Sequence, residues 1–121
     1  DADERRLAGI AEETLRDELR GAALLDAEVR AALAEARTRG ATVSVLDEGG
    51  LDALTAGERA GVRAELAEVL AGARSQRLFV RASAHGLVAV TVVGRTVGMD
   101  GDETVDLWRE LPERRSEVAR D

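Results

Sequence analysis

The apolar residues in the first third of the chain recur at helical spacing. The segment 3–20 has acids near its start and is followed by Gly21, which predicts one helix ending there. Its apolar residues are Leu7, Ile10, Ala11, Leu15 and Leu19. Asp26 is typical of the N-cap of a second helix that ends at Gly40, with the apolar stripe Val29, Ala32, Leu33 and Ala36. Between the two, Ala22–Leu25 fits either a tight connection or the continuation of one long bent helix.

The middle of the chain alternates between strand and helix patterns. The β-branched residues of Ala41–Leu46 predict a short strand, and the segment 47–50 predicts a loop. Thr55 and Glu58 have the spacing of a capping box, so the clearest helix of the chain is expected to begin there. Its apolar face consists of Val62, Leu66, Val69, Leu70 and Ala73.

The second half predicts a β-hairpin followed by a final helix. Arg77–Ser83 and Leu87–Val93 have strand patterns and are separated by Ala84-His85-Gly86, a short turn sequence. The second of these strands is apolar on both faces, which predicts a central position in the sheet. Gly94–Gly101 predicts a loop, and Thr104–Leu111 predicts a helix on which Trp108 packs against the hairpin.

These elements predict one α/β domain over residues 1–121, in the order α-α-β-α-β-β-α. The sheet is expected to be small, to contain the hairpin 77–93 and to be covered by helices. An α+β arrangement of the same elements is the alternative. Residues 113–121 are charged, and we expect them either to continue as a helix or to fray.

The predicted core is rich in alanine and poor in aromatic residues. Alanine supplies 22 positions, whereas Phe79 and Trp108 are the only aromatic residues of the chain. Such a core buries little apolar area per residue, so association with a second copy would add stability. The sequence therefore predicts a homo-oligomer.

The charge pattern limits the classes of partner. All 17 basic residues are arginine and face 24 acids, for a net charge of -7, which argues against nucleic acid because phosphate binding needs a basic surface. Residues 77–99 are the exception, with three arginines and no acid. Arginine without lysine is typical of a high-GC or salt-adapted source. The chain has no apolar run of membrane-spanning length, so a cytoplasmic protein without a membrane partner is expected.

Few residues are candidates for chemistry. His85 is the one group that titrates near neutral pH, but it lies in a predicted turn without a neighbouring acid, so we interpret it as an exposed turn residue. The acids Asp100, Asp102 and Asp106 could supply oxygen ligands to a metal, although capping of the following helix explains them better. The glycine-containing loops lack the spacing of nucleotide-binding motifs. No catalytic residue and no cofactor is predicted, and the sequence favours a non-enzymatic protein over an enzyme.

Arg77, Phe79 and Arg81 share one face of a predicted strand. Arginine beside an aromatic residue can bind single-stranded nucleic acid or an anionic ligand, but packing of this face under an acidic helix of the same chain or of a partner is the favoured interpretation. The favoured hypothesis is a non-enzymatic regulatory or interaction module that acts through a protein or small-ligand contact. The alternatives are a small enzyme that uses the acids of residues 100–106, with or without a metal, and a structural subunit of a homo-oligomeric assembly.

Residues 32–46, a helix, a glycine and a strand in succession, resemble a passage of phospholipase-D-like domains, in which a hairpin and a late tryptophan-containing helix also follow. That family includes non-catalytic sensor domains of transcription regulators. The resemblance covers about half of the chain and lacks the His-x-Lys motif of the catalytic members. It therefore implies no phosphodiesterase chemistry, and at most a regulatory role.

Overall fold

The structure is a computed structural model that describes residues 1–84 and 88–113. Its elements, in chain order, are α1 (Ala2–Arg20), a 3₁₀ helix (Ala22–Leu24), α2 (Ala27–Thr38), β1 (Thr42–Glu48), α3 (Ala56–Gly72), β2 (Arg77–Ser83), β3 (Val90–Val97) and β4 (Glu103–Leu111). The mixed α/β class predicted from the sequence is confirmed. The final element is a strand, so the predicted last helix is wrong. None of the helices in the described part of the chain is long and apolar enough to cross a membrane.

The helix boundaries follow local hydrogen bonding. The Asp26 side chain accepts a hydrogen bond from the Val29 backbone N–H at 2.8 Å, as expected of an N-cap. The capping box of α3 is complete, because Thr55 Oγ1 accepts from the Glu58 N–H at 3.1 Å and Glu58 Oε1 accepts from the Thr55 N–H at 2.8 Å. The short 3₁₀ helix separates α1 from α2, so the connection between them is tight.

The four strands form one sheet in the order β1-β2-β3-β4. Strands β1 and β2 are parallel and are joined through α3, whereas β2–β3 and β3–β4 are antiparallel neighbours. Helices α2 and α3 pack against each other and share one hydrophobic core with one face of the sheet. The sheet residues in this core are Val43, Val45, Leu78, Val80, Ala82, Val90, Val92 and Leu111. Helices α2 and α3 thus cover one face of the sheet, and no helix among the described residues covers the other face.

The predicted helix Thr104–Leu111 lies within β4. Its apolar positions Leu107 and Leu111 are four residues apart, a spacing that places two side chains on the same side of either a helix or a strand. Strand pairing selects the strand conformation for residues 104–111. Strand β3 extends through Val97 instead of ending at Val93, and its backbone pairs with β4 over this length. A Cβ at Gly94 would clash with the Ser75 side chain and would lie 2.9 Å from Leu107 Cβ, so Ser75 and the neighbouring strand together require glycine here.

Two predictions lie outside the described residues. His85, interpreted as an exposed turn residue, is in the segment 85–87. The charged end expected to fray or continue as a helix falls, after Glu113, in the segment 114–121.

Helix α1 is attached to the domain through its polar side. Asp17 is its one buried residue, and both Asp17 carboxylate oxygens accept hydrogen bonds from Arg37 of α2, at 2.6 and 3.0 Å. Arg37 also donates to Glu13 at 3.0 Å and to the Val43 carbonyl at 2.9 Å. Glu13 in turn accepts from the Val43 N–H at 3.2 Å, so the outward-facing polar groups of Val43 on edge strand β1 are satisfied by side chains.

Candidate interaction surface

The face of the sheet opposite α2 and α3 is uncovered in the described part of the chain. We call it the open face, and it consists of residues 42, 44, 46 and 48 of β1, residues 77, 79, 81 and 83 of β2, Thr91, Val93, Arg95 and Val97 of β3, and Glu103, Val105, Trp108 and Glu110 of β4. The predicted contact residues Arg77, Phe79 and Arg81 all lie on this face and all are exposed. Strand alternation places them there, as predicted from the sequence.

The two aromatic residues of the chain lie in one row across the open face. The strand register places Ser44, Phe79, Val93 and Trp108 opposite one another in that order. Phe79 is 40% exposed and Trp108 is 58% exposed. The exposed side chains of Leu46 and Val105 extend the apolar surface onto the two edge strands. A domain with an otherwise aliphatic core therefore presents both of its aromatic side chains to solvent.

The prediction that Trp108 packs in the core is wrong. As a helical residue Trp108 could share a face with Leu107 and Leu111, but in a strand successive side chains point to opposite faces. Leu107 is partly buried against the core and Leu111 is completely buried, whereas Trp108 points to the open face. Strand alternation therefore leaves Trp108 exposed instead of packed against the hairpin.

Three arginines lie on the two central strands of the open face. The Arg77 guanidinium is 3.3 Å from Glu103, and that of Arg81 is 2.6 Å from Glu48. Arg95 lies over the Phe79 ring, with its Cζ 5.9 Å from the ring centroid, a distance that allows a cation–π contact. The centre of the open face is thus apolar and basic, and its acids are on the edge strands β1 and β4.

The sequence did not identify Arg95 as part of this surface, because residues 94–101 were predicted to be a loop. The one sequence signal for it was the absence of acids among three arginines in residues 77–99. The buried pair of Asp17 and Arg37 also escaped prediction, because nothing local connects two charged residues on separate helices.

The three acids considered for metal binding have separate roles in the structure. Asp100 and Asp102 lie in the β3–β4 turn, where Asp100 Oδ1 accepts a hydrogen bond from the Asp102 N–H at 3.0 Å. Asp106 lies on β4 and accepts hydrogen bonds from Ser75 Oγ and Thr96 Oγ1, both at 2.6 Å. Within residues 1–84 and 88–113, no three His, Cys, Asp or Glu side chains are grouped so that they could hold a metal ion.

The hydrogen bonds from Ser75 and then Thr96 hold the pKa of Asp106 below its ordinary value of 3.8. A carboxylate with a lowered pKa stabilises the fold above its unfolded-state pKa, and this contribution is lost as the pH falls through the folded-state pKa. We therefore expect the free energy of unfolding of Asp106→Asn to fall less than that of the wild type between pH 5 and pH 2. Urea unfolding across this range measures the difference.

Asp102→Asn is the control for the Asp106 experiment, because it removes the same charge from the neighbouring turn. If Asp106→Asn and the wild type lose stability in parallel on acidification, the two hydroxyl contacts do not stabilise the carboxylate.

A polar cleft, separate from the open face, lies where α1 meets β1. It is a cleft of about 290 Å³ lined by Glu13, Arg16, Asp17, Arg20 and residues 42–45. Its two carboxylates are the ones that bind Arg37, and Arg16 pairs with Glu12. The two carboxylates of this cleft therefore hold α1 on the domain.

Residues 1–84 and 88–113 define a two-layer α/β domain with one sheet face that none of their helices covers. No family model matches the chain, and neither the curated proteins nor the solved structures include a significant match. The resemblance of residues 32–46 to phospholipase-D-like domains remains a resemblance. Its later part is wrong, because Trp108 lies in a strand and not in a helix.

Proposed function

We propose that this chain is a non-enzymatic regulatory or interaction module that binds a protein partner through the open face. The observation that carries this proposal is the aromatic row, in which Phe79 and Trp108 are exposed on the side of the sheet that no described helix covers. A buried aromatic side chain removes about 150–250 Å² from water, and aromatic residues and arginine dominate the energetics of protein interfaces. Exposure of both aromatic residues is therefore costly to the free domain and useful to a complex.

The charges of the open face favour a protein over a nucleic acid. Binding to phosphates requires positive charge that is not already neutralised. Arg77 and Arg81 each pair with a glutamate of an edge strand, and Glu110 adds a further acid. Aromatic residues and arginines surrounded by a polar rim match the composition of protein interfaces instead.

The shape of the open face favours a macromolecule over a small ligand. Small-molecule sites are concave and enclose most of the ligand surface. The aromatic row instead crosses four neighbouring strands, which lie about 4.8 Å apart in a sheet. A partner that covers this row must contact a surface roughly 15 Å across, which corresponds to a protein surface and not to an enclosed small-molecule site.

Site-specific photocrosslinking in the source cells tests the proposed function. Phe79 is replaced by p-benzoylphenylalanine, and the exposed Ala64 of α3 is replaced in a control variant. We expect protein adducts at position 79 to exceed those at position 64 by about tenfold, and the added substitution Trp108→Asp to remove them. The crosslinked peptide is identified by mass spectrometry.

Two results would contradict the proposed function. Adducts that are equal at positions 79 and 64 would show that the open face makes no preferred contact. Adducts at position 79 that consist of RNA or DNA, together with quenching of Trp108 fluorescence by a single-stranded oligonucleotide at physiological salt, would assign the open face to nucleic acid.

A further inference from the structure

Helix α1 carries a second exposed apolar surface. Leu7, Leu15 and Leu19 are 66%, 61% and 77% exposed, and with Ala8 and Ala11 they form a stripe along one side of the helix. We call these five residues the α1 stripe. An amphipathic helix normally turns such a stripe toward the core of its own domain. Here the stripe points to solvent, because Asp17 and Glu13 on the opposite side of α1 bind the buried Arg37.

The arrangement of α1 is therefore fixed with its apolar side outward. Further contacts hold the same orientation, because Arg6 donates a hydrogen bond to the Thr38 carbonyl at the end of α2 and Gly21 packs directly on the Val45 side chain. A helix that is anchored by polar contacts and displays leucines to solvent has the form of a docking element.

We propose that the α1 stripe of one copy of this chain packs on the open face of a second copy. This inference rests on the proposed function, since it names the occupant of the open face. The packed arrangement would place a helix on the uncovered side of the sheet, as α2 and α3 cover the other side, and would complete the three-layer architecture common among α/β domains.

Charge favours this pairing over the symmetric alternatives. Glu4 and Glu18 lie seven residues on either side of Ala11 and so are on the same side of α1 as the stripe. In an antiparallel pair of α1 helices centred on Ala11, Glu4 would face Glu18 of the other copy. In a pair of stacked sheets, the arginines of the two central strands would face each other. Glu18, Arg77 and Arg81 each pair with an opposite charge of their own copy, so the charges that this contact brings together are those of Glu4 beside the stripe and of Arg95 at the centre of the open face.

The dimensions of the two surfaces also agree. Helix α1 has 19 residues and is about 28 Å long. The strands of the open face have seven to nine residues, which corresponds to about 23–30 Å. The span from Leu7 to Leu19 is about 18 Å, so the whole stripe can lie along the strands within the open face.

The contact joins two different surfaces of the same chain, and each copy offers both. Two copies can therefore form a dimer around a two-fold axis, in which the α1 stripe of each copy packs on the open face of the other. Alternatively, further copies can add through the same contact until a ring closes. In either case the assembly is a multiple of the 12.9 kDa chain, and the α1 stripe and the open face of every copy are in contact.

A complementation experiment on the full chain tests the inference. Leu15→Arg disrupts the stripe and leaves the open face intact, whereas Trp108→Asp disrupts the open face and leaves the stripe intact. Both side chains are more than half exposed, so both variants should fold as the wild type does, which circular dichroism checks. Met99→Arg is the control, because Met99 is fully exposed in the β3–β4 turn outside both surfaces.

Mass measurement by analytical ultracentrifugation at tens of micromolar gives the result. We expect the wild type and Met99→Arg to be oligomeric and each disrupted variant alone to be monomeric. A mixture of Leu15→Arg and Trp108→Asp should form a one-to-one complex, because the intact stripe of one variant meets the intact open face of the other. Each disrupted variant should associate at least about tenfold more weakly than the wild type.

Other outcomes overturn the inference and identify what is wrong. Trp108→Asp that still associates indicates pairing of α1 helices, and Leu15→Arg that still associates indicates stacked sheets. A monomeric wild type excludes a second copy as the occupant. If photocrosslinks from position 79 then lead to a different protein, the proposed function stands without this inference, whereas equal adducts at positions 79 and 64 contradict both.

Discussion

Replacement of Arg37 by methionine is expected to lower the free energy of unfolding by about 3–5 kcal/mol, the usual cost of leaving a buried charge without its partner. Arg37 is 2% exposed and Asp17 is 4% exposed. Burial opposes the charge of Arg37, but the hydrogen bonds and Coulombic attraction of Asp17 and Glu13 outweigh it and raise the pKa of Arg37 above its ordinary value. The methionine would fill a similar volume and leave the Asp17 carboxylate buried without a donor. Urea unfolding at neutral pH measures the loss.

Arg30→Met is the matched control for the Arg37 experiment. Arg30 also bonds a glutamate of α1, at 2.8 Å from Glu18, but both side chains are exposed to solvent. Solvent screens an exposed ion pair, which therefore adds little to stability, so this variant should unfold close to the wild-type midpoint. If Arg30→Met and Arg37→Met prove equally destabilising, or if neither changes stability, the buried ion pair does not hold α1 on the domain.

Replacement of Leu111 by alanine is expected to destabilise the fold by about 2–5 kcal/mol, the range for truncation of a buried leucine. Leu111 is the last residue of β4, is completely buried, and pairs with the buried Val90 of β3. Its truncation would leave a cavity at the end of the sheet, which the surrounding side chains fill only in part. Thermal and urea unfolding report this loss.

Trp108→Ala provides the comparison, because Trp108 lies on the same strand but faces solvent. Although tryptophan is the larger residue, its substitution should cost less than that of Leu111, because its side chain is 58% exposed. The emission of Trp108 in a monomeric variant such as Leu15→Arg should be red-shifted and freely quenched. If Trp108→Ala proves less stable than Leu111→Ala in that same monomeric background, Trp108 is buried in the core and not exposed.

The experiments on the open face and on α1 depend on each other in a defined order. The photocrosslinks establish whether the open face makes a contact and with which class of molecule. The complementation of Leu15→Arg with Trp108→Asp then establishes whether the contact is α1 of a second copy. This order matters because the thin aliphatic core predicted an oligomer from composition alone, without naming a surface.

The sequence by itself determined the elements whose hydrogen bonds are local. Asp26 and the pair of Thr55 and Glu58 marked the starts of α2 and α3, because a cap satisfies backbone N–H groups within three residues. The alternation in residues 77–83 likewise placed Arg77, Phe79 and Arg81 on one face of β2, because strand side chains alternate whatever the strand pairs with. The α/β class and part of the candidate surface followed from these patterns.

Only the tertiary structure decided which way the ambiguous segments face. Residues 104–111 have an apolar spacing that fits a helix and a strand equally, and pairing with the extended β3 selects the strand and so exposes Trp108. The apolar spacing in residues 3–20 predicted a helix correctly but could not show that its three leucines face solvent. That direction is set by Asp17 and Arg37, which are 20 residues apart. No local pattern connects two such charges, because their attraction becomes strong only after folding has removed both from water.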